Sequence, residues 1–498
     1  MGLIKYMSLL TTCSVFAVLI SIIWQAFISL KKINKVITLL TGLLAIESSL
    51  KRPQDYPRPK VAIGYGACTD LLINATDFLN YTEKYVQDIG PEFTVDEINN
   101  EKELLQTFAY YFQNGAAAER IMPNTELFRK LINIAKTRHR NQIQWFIGGN
   151  APLMGIRFFM EGADVLLGAR LSHKLRRLIP EEIKIAGEEI DEDDIHIILE
   201  YKSGDNWGPF TAPRANRYII HNDKNNPHLN SLEHFEEALK EFQPKLVVIS
   251  GLQMMDSYQF EEGVREARLY KVQQQISRQP PTVLQHFEMA SYVEIELLQM
   301  LRKNVLPYVD SIGMNEQELD NLRQVLEFDR ITLASDWNPR IASTLDHMRE
   351  VFKILANNYY ENIKRNGRLR LLTRIHVHTL AYQAILVVKD SQWNNTNVSA
   401  AKAALTAHRY VCQTNMVNPE SASLLLDDSF AISATKNAER KTFSTQNPVP
   451  CWKEFIEVNA QKSIEIEICI APVLVCRVAK KTAGAGDNIS AAGLSQHL

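Results

Sequence analysis

The feature that most constrains the fold is the apolar run LVVI at residues 246–249, which leads into a Ser-Gly turn. A strand with one solvated face alternates apolar and polar residues, whereas a parallel strand buried on both faces is apolar throughout. Other apolar runs at 61–70 and 464–476 end near a glycine or an acid, and segments with helical spacing, such as 104–112, lie between them. The sequence therefore predicts an α/β fold with a mainly parallel sheet flanked by helices.

Composition and charge exclude several classes of protein. The chain has 498 residues, of which 46% are hydrophobic and 22% charged, and its formal net charge is −2. That length suffices for one large or two medium domains. Because there is no basic surplus, we expect no binding to nucleic acid. The six cysteines form no CxxC pair and are too few for a disulfide scaffold. Any working metal should therefore have carboxylate ligands, which favours magnesium over zinc.

The N-terminus carries a long apolar segment at residues 7–30, with lysines on both sides. This length spans a bilayer as a helix, whereas a cleaved signal peptide has a shorter apolar core of roughly 7–15 residues. We therefore predict a signal peptide or signal anchor over residues 1–30, and a possible membrane tether through 7–30. A buried core helix is the alternative. Residues 31–58, which end among three prolines, are predicted to be a linker before a domain at 59–498.

Two signals disagree on the side of the membrane that the body occupies. More lysines follow the span than precede it, which favours a cytosolic body. Formal glycosylation sequons instead favour a lumenal body, and they begin at Asn74, Asn80, Asn394 and Asn397. The predicted location is the secretory pathway or endoplasmic reticulum, either anchored or cleaved and secreted, with the membrane face left open. A lumenal body could form a disulfide, but no cysteine pairing can be chosen.

Several polar residues follow predicted strands in the first half of the chain. Asp70 follows the run at 61–66, and ligands collect at the carboxyl ends of strands in open α/β sheets. Glu119 stands beside three alanines that leave room for a ligand, and Gly148 and Gly149 form a second glycine turn. The alternatives are a helix N-cap for Asp70 and a surface pair with Arg120 for Glu119.

Further candidates lie at later strand ends. Arg217 is suited to forked contacts with phosphate oxygens, although a surface salt bridge is equally open. His286 and Glu288 lie two apart in a predicted strand and so share one face. Asn315 and Glu318 lie three apart in the first turn of a predicted helix, where they could serve as metal or water ligands or only as a cap.

The sequence GAGD at 484–487 follows the last apolar run and precedes a short predicted helix. Glycines let the backbone approach an anion, and the first N–H groups of the helix point toward it. Asp487 would then stand where a substrate hydroxyl could lose its proton. A simple turn with a helix cap is the alternative for this tetrapeptide alone.

Taken together, the stretches HFE at 286–288, NEQE at 315–318 and GAGD at 484–487 resemble the HxE, NxxE and GxGD motifs of the ADP-dependent sugar kinases in the ribokinase superfamily. The stretches GGNA at 148–151 and RIHVHT at 374–379 are also similar to that family. The resemblance covers about residues 60–498. It implies a ribokinase-like sheet with a smaller α/β lid, which we expect to come from about residues 70–235.

The resemblance also implies a reaction and a set of roles. ADP would phosphorylate D-glucose, giving AMP and glucose 6-phosphate with Mg²⁺ as cofactor, and we expect the protein to be monomeric. The implied roles are a base at Asp487; magnesium ligands at Glu288, Glu318 and Asp487; phosphate contacts at Arg217, Gly484 and Gly486; sugar contacts at Asp70, Glu119, Gly148 and Gly149; and support from His286 and Asn315. The sequence leaves two alternatives open, an ATP-dependent ribokinase-type sugar or nucleoside kinase and a non-catalytic, membrane-tethered binding protein.

Overall fold

A computed structural model describes the backbone of residues 2–50, 57–86, 89, 97–331 and 340–498, together with the side chains of these residues from position 18 onward and of Phe16. The described strands are β1 Lys60–Gly64, β2 Cys68–Asn74, β3 Ala118–Ile121, β4 Gln144–Gly148, β5 Asp164–Gly168, β6 Lys184–Ala186, β7 Ile195–Tyr201, β8 Asn206–Trp207, β9 Phe210–Thr211, β10 Asn216–His221, β11 Leu246–Ile249, β12 Leu284–Glu288, β13 Ser311–Asn315, β14 Arg374–His378, β15 Tyr382–Val388, β16 Ala422–Ser423, β17 Ser429–Ala431, β18 Arg440–Thr442, β19 Cys451–Asn459, β20 Lys462–Pro472 and β21 Val475–Cys476.

Helices alternate with these strands, as the sequence pattern predicts. The described α-helices are α1 Gly2–Ser49, α2 Ala75–Phe78, α3 Glu83–Val86, α4 Glu101–Asn114, α5 Thr125–Arg138, α6 Asn150–Met160, α7 His173–Arg176, α8 Leu232–Phe242, α9 Val264–Ser277, α10 Ile295–Asn304, α11 Glu316–Phe328, α12 Ile341–Asn362, α13 Thr396–Val411 and α14 Ala485–Ser495. Short 3₁₀ turns lie at Leu252–Met255, Leu306–Tyr308 and Pro419–Ser421.

Ten of the described strands form one large sheet, in the order β19-β20-β15-β14-β13-β12-β11-β1-β5-β6. The strands from β14 to β6 pair in parallel, whereas β15, β20 and β19 add an antiparallel edge. The apolar strand β11 lies near the centre, and all four of its residues are buried. The predicted mainly parallel sheet is therefore present. Helices cover both of its faces and exclude water from its strands, as a parallel sheet requires.

A second sheet of five described strands, in the order β3-β10-β7-β2-β4, forms a smaller lid domain with its own apolar core. We predicted a lid drawn from about residues 70–235. The structure shows instead that this stretch is interrupted, since β5 pairs with β1 and β6 pairs with β5 in the large sheet. The chain thus leaves the lid after β4 and returns to it at β7, because the run VLLG at 165–168 is apolar enough to be buried in the large sheet.

The prediction of a linker over residues 31–58 is wrong for its first part. Helix α1 continues to Ser49, and its side chains Val36, Leu39, Leu40 and Leu43 are buried in the core of the large domain. These four residues recur at helical spacing, so they form one apolar stripe that packs on α13. Residues 51–56 lie outside the described part of the chain.

The predicted membrane span at 7–30 begins at residues whose side chains are not described. From Phe16 onward its apolar side chains are exposed, including Ile20, Ile23, Trp24 and Phe27 at 60–67%. A search of the described residues finds no helix that meets the length and hydropathy needed to cross a membrane.

Two disulfides tie the second half of the large domain together. Cys412 at the end of α13 is bonded to Cys476 in β21, and Cys451 in β19 is bonded to Cys469 in the adjacent β20. The sequence alone could not choose these pairings. Cys68 is free and buried.

Candidate functional site

A cavity of about 750 Å³ lies between the large sheet and the lid. The carboxyl ends of the parallel strands form one wall, and the lid sheet forms the other. Among the residues that we predicted from sequence, the cavity is lined by Asp70, Glu119, Gly149, Arg217, Glu288, Asn315, Glu318, Gly484, Gly486 and Asp487. The structure therefore brings together candidates that are spread over more than 400 positions of the chain.

Gly148 and His286 lie behind the cavity wall rather than on it. A Cβ atom at Gly148 would lie 1.8 Å from Asp70 Oδ1, so only glycine lets β4 pair with β2 at this point. His286 is fully buried and bonds to Ser311 Oγ and Glu288 Oε2, both at 2.8 Å. Gly148 thus leaves room for the Asp70 side chain, and His286 holds Glu288.

The glycine turn before α14 is tightly enclosed. Gly484 is the N-cap, with a φ of 74° that favours glycine, and a Cβ atom there would lie 2.6 Å from Leu153 Cδ1. Tyr410 of α13 donates a hydrogen bond of 2.7 Å to the Ala483 carbonyl. A Cβ atom at Gly486 would lie 2.9 Å from His378 Cε1. Both glycines are therefore required by close approach.

Asp487 stands in the first turn of α14, where the helix dipole favours a negative charge. Its Oδ1 accepts a hydrogen bond of 2.8 Å from Asn150 Nδ2, and Asn150 Oδ1 accepts one of 2.6 Å from Gln253 Nε2. The Asp487 side chain is buried. Burial, together with the charge of Glu288, raises the pKa of Asp487 to about 6. The group is thus an oriented carboxylate that is ionised at neutral pH.

Glu288 ends strand β12 and is also buried. Burial raises the pKa of this carboxyl, but the hydrogen bond from His286 and the proximity of His378 outweigh it and hold the pKa at about 2. His378 Nε2 lies 3.6 Å from Glu288 Oε1. Glu288 is therefore a fixed negative charge at the edge of the sheet.

Asn315 and Glu318 form the helix cap that the sequence left open as an alternative. Asn315 Oδ1 accepts the Glu318 backbone N–H at 2.9 Å, and Glu318 Oε2 accepts the Asn315 backbone N–H at 2.8 Å. The cap also presents the acid to the cavity. Burial, together with the charge of Glu288, raises the pKa of Glu318 to about 7.

Arg217 in β10 faces the three acids from the lid. Its Nη1 lies 3.3 Å from Asn216 Oδ1, and its buried Nε has no hydrogen-bond partner among the described residues. An unpartnered guanidinium nitrogen that lines a cavity is suited to an anionic ligand. The neighbouring Arg214 is instead paired with Glu316 at 3.1 Å.

The lid end of the cavity contains a charged cluster around His196. His196 Nε2 lies 2.9 Å from Asp223 Oδ1, and its Nδ1 lies 3.5 Å from Glu119 Oε1. Burial lowers the pKa of His196, but Asp223 and Glu119 outweigh this and raise it to about 10. Burial also raises the pKa of Asp70, to about 6. This end of the cavity thus offers several acceptors and one fixed cation to a polar, uncharged ligand.

Two sets of residues could hold a metal. Cys68, Asp70 and His196 bring one ligand atom each within 4.8 Å, but burial raises the pKa of the Cys68 thiol well above its usual range. The charge of Asp223 keeps His196 protonated, so this set lacks the free donors that zinc needs. The second set, His196, His221 and Asp223, shares that protonated histidine. Glu288, Glu318 and Asp487 line one cavity, but among the described residues their ligand atoms do not form a group within 4.8 Å. Their oxygen donors suit magnesium, and a cation between them would relieve the repulsion by which Glu288 raises the pKa of the other two acids.

Sequence reasoning missed several residues of this site. Asn150 and Gln253 orient Asp487, His378 contacts Glu288, and His196 and Asp223 organise the lid end. Asn150 and His378 lie in stretches that drew attention only for their resemblance to a family. The other three, Gln253, His196 and Asp223, carry no local sequence signal, because they act through contacts between parts of the chain that are distant in sequence.

Comparison with known proteins agrees with this geometry. Residues 59–496 match the family model of the ADP-specific phosphofructokinase/glucokinase conserved region. The ADP-dependent glucokinase of Bos taurus is 34% identical over 443 residues, which are 87% of this chain and 84% of that protein. The probable ADP-dependent glucokinase of Caenorhabditis elegans is 30% identical over 450 residues, again 87% of this chain and 84% of that protein.

A solved structure confirms the fold class. The chain resembles an ADP-dependent kinase in complex with fructose-6-phosphate and ADPbetaS, with a TM-score of 0.60 and 16% sequence identity. The match covers 93% of this chain and 97% of that structure. The predicted ribokinase-like sheet flanked by helices is therefore confirmed.

The charge pair in the lid should contribute to stability in a pH-dependent way. We expect Asp223→Asn to lower the free energy of unfolding by about 3 kcal/mol at pH 7, because it leaves His196 without its buried counter-ion. The pKa of His196 is raised in the folded state, so the contribution of the pair is complete below about pH 6.5 and is lost as the pH rises through about 10.

Urea denaturation at pH 6, 8 and 10 measures this effect, with the exposed Glu192→Gln, just before β7, as the control. The difference between Asp223→Asn and the unaltered chain should shrink from pH 6 to pH 10. A difference that stays constant over this range would show that Asp223 acts through its shape and not through its charge.

Proposed function

This chain belongs to the ADP-specific phosphofructokinase/glucokinase family, and from that membership we propose that it phosphorylates D-glucose with ADP and releases AMP. The observation that carries the proposal is the buried, oriented carboxylate of Asp487, which faces Arg217 and two further acids in one cavity. Relatives named as glucokinases support the choice of sugar.

In this mechanism Asp487 accepts the proton of the sugar 6-hydroxyl. The bond from Asn150 fixes its orientation, and its raised pKa brings it nearer to the value that suits a base at neutral pH. The hydroxyl oxygen then attacks the terminal phosphorus of ADP. The bond from that phosphorus to the bridging oxygen breaks, so that the phosphoryl group moves to glucose and AMP leaves.

Stabilisation of the phosphate charge falls to Arg217 and to the N-terminus of α14. The unpartnered Nε of Arg217 is available for a phosphate oxygen, and the first N–H groups of α14 point into the cavity at the glycine turn. Magnesium would be held by Glu288, Glu318 and Asp487, directly or through water. When bound, it would neutralise charge on the transferred phosphate.

The lid end of the cavity favours glucose over a sugar phosphate. Asp70 and Glu119 both face the cavity and would accept hydrogen bonds from sugar hydroxyls. The same two acids repel a phosphorylated sugar. The buried Gln253 Oε1 has no partner among the described residues and offers a further acceptor.

We also propose that the exposed part of α1 is a membrane tether and that the body faces an oxidising compartment of the secretory pathway. Support comes from the exposed apolar side chains between Phe16 and Leu30, which are followed by Lys31 and Lys32. Two disulfides in the body favour a lumenal rather than a cytosolic position. The formal sequon at Asn488 is 6% exposed, which argues against a glycan in the active site.

The donor assay is the central test of the proposed function. The full chain with glucose and Mg²⁺ should give equal amounts of AMP and glucose 6-phosphate from ADP, and no product from ATP, when nucleotides and sugar phosphate are separated by chromatography. EDTA should abolish turnover. Product from ATP alone would identify a ribokinase-type ATP kinase, and no product from either donor with intact sugar binding would identify a binding protein.

Replacing Asp487 by Asn should lower kcat by about 10³-fold, because the amide cannot accept the proton. Glucose affinity, measured by calorimetry without nucleotide, should change little, since Asp487 acts on the reacting hydroxyl. The exposed Asp390→Asn is the control and should retain the activity of the unaltered chain. Undiminished turnover in Asp487→Asn would remove this residue from the mechanism.

The tether is tested by carbonate extraction of the full chain after synthesis with microsomes. The triple variant Ile20→Asp, Ile23→Asp and Phe27→Asp should move from the membrane pellet to the supernatant, because charged side chains are costly in the bilayer. Ile37→Asp, on the same helix but outside the span, should stay in the pellet. Extraction of the unaltered chain would contradict the tether.

A further inference from the structure

The short segment at residues 481–483, which precedes the glycine turn of α14, is bound by the lid. It is part of the large domain by sequence, yet all three of its residues contact strands of the lid sheet. Because the segment continues directly into Gly484 and Asp487, these contacts act on the backbone that carries the base.

The strongest of these contacts is made by Glu200 in β7. Its Oε1 accepts the backbone N–H of Thr482 at 2.6 Å, the Thr482 hydroxyl at 2.7 Å and the backbone N–H of Ala483 at 3.0 Å. Hydrogen bonds to a carboxylate are stronger than those between neutral groups. One lid carboxylate thus fixes two successive peptide groups before the turn.

Two further contacts hold the same segment against the lid. The Lys481 ammonium lies 4.0 Å from the centre of the Phe146 ring in β4. The Ala483 side chain is buried in a small apolar cluster with Leu72 and Ile198. The lid therefore contacts each residue of the segment by different chemistry.

The position of Glu200 in the sheet links the segment to the phosphate arginine. Glu200 in β7 is directly opposite Arg217 in β10, so the two side chains share the face that looks into the cavity. The carboxylate is engaged with the segment at 482–483, and no ion pair between Glu200 and Arg217 is found among the described residues. One pair of strands thus presents Arg217 and also holds the backbone before Asp487.

We propose that Glu200 is a positioning residue, which couples the closed lid to the catalytic turn by holding residues 482 and 483. This inference rests on the proposed kinase function for its kinetic consequence, but the contact itself is independent of that function. When the lid is closed, Glu200 sets the distance between Arg217 and α14. When it opens, the two peptide groups lose their acceptor and the turn loses its support from the lid.

The kinetic test compares Glu200→Ala and Glu200→Gln in the full chain, with the exposed Glu192→Ala, just before β7, as control. Glu200→Ala should lower kcat by about 100-fold, because a small displacement of a reacting group has an effect of that size. Its KM for glucose should change little, since Glu200 does not line the cavity. Glu200→Gln keeps an acceptor oxygen and should retain more activity than the alanine variant, and Glu192→Ala should match the unaltered chain.

A second measurement does not depend on activity. Hydrogen exchange of the Thr482 and Ala483 amides, followed by mass spectrometry of the peptide that contains them, should accelerate in Glu200→Ala and not in Glu192→Ala. An unchanged melting temperature of Glu200→Gln shows that the fold is intact. Unaltered exchange in Glu200→Ala overturns the proposal, as does an unaltered kcat. If the unaltered chain has no kinase activity, the proposed function fails, and the exchange experiment alone decides the role of Glu200.

Discussion

The fixed negative charge of Glu288 is the interaction on which the rest of the site depends. His286 beneath it and His378 beside it keep this buried carboxyl ionised. Its charge then raises the pKa of Asp487 and of Glu318, which burial has already raised. Three acids at one edge of the sheet therefore repel each other. The fold keeps them together because the strand and the helices that carry them are buried in the core of the large domain. A divalent cation in the cavity would offset this repulsion.

The two domains contribute different parts of the chemistry. The large domain carries Glu288, Glu318 and Asp487, whereas the lid carries Arg217 and the proposed sugar contacts Asp70 and Glu119. Neither set is complete alone, because phosphoryl transfer needs the base, the phosphate contacts and the acceptor in one place. The geometry of the proposed reaction therefore depends on how the lid meets the large domain, and the contact of Glu200 with residues 482 and 483 joins the two domains a few residues before the proposed base.

Sequence patterns predicted where several strands end, but they did not predict which distant residues contact the side chains at those ends. Glu288 could be placed because it ends a buried parallel strand. Asp70 was expected at a strand end of the open sheet but lies inside lid strand β2, and Asp487 follows antiparallel strands instead of parallel ones. The partners could not be placed: Asn150 contacts Asp487 across 337 positions, and Glu200 contacts Thr482 across 282. The raised pKa of Asp487 was missed for the same reason, since burial is produced by elements that are distant in sequence. The lid was predicted as one stretch because no local signal marks where the chain crosses between domains.

The corrected role of α1 changes how the N-terminus relates to the site. A linker would leave the kinase body independent of the apolar helix, but Glu47 near the end of α1 pairs with both Arg409 and Lys402 on α13. Tyr410, next to Arg409, donates the hydrogen bond that supports the catalytic turn from the large domain. Helix α13 thus lies between α1 and the turn and contacts both. The second half of α1 is therefore a structural element of the kinase domain, and the exposed apolar half is joined to that domain by one continuous helix.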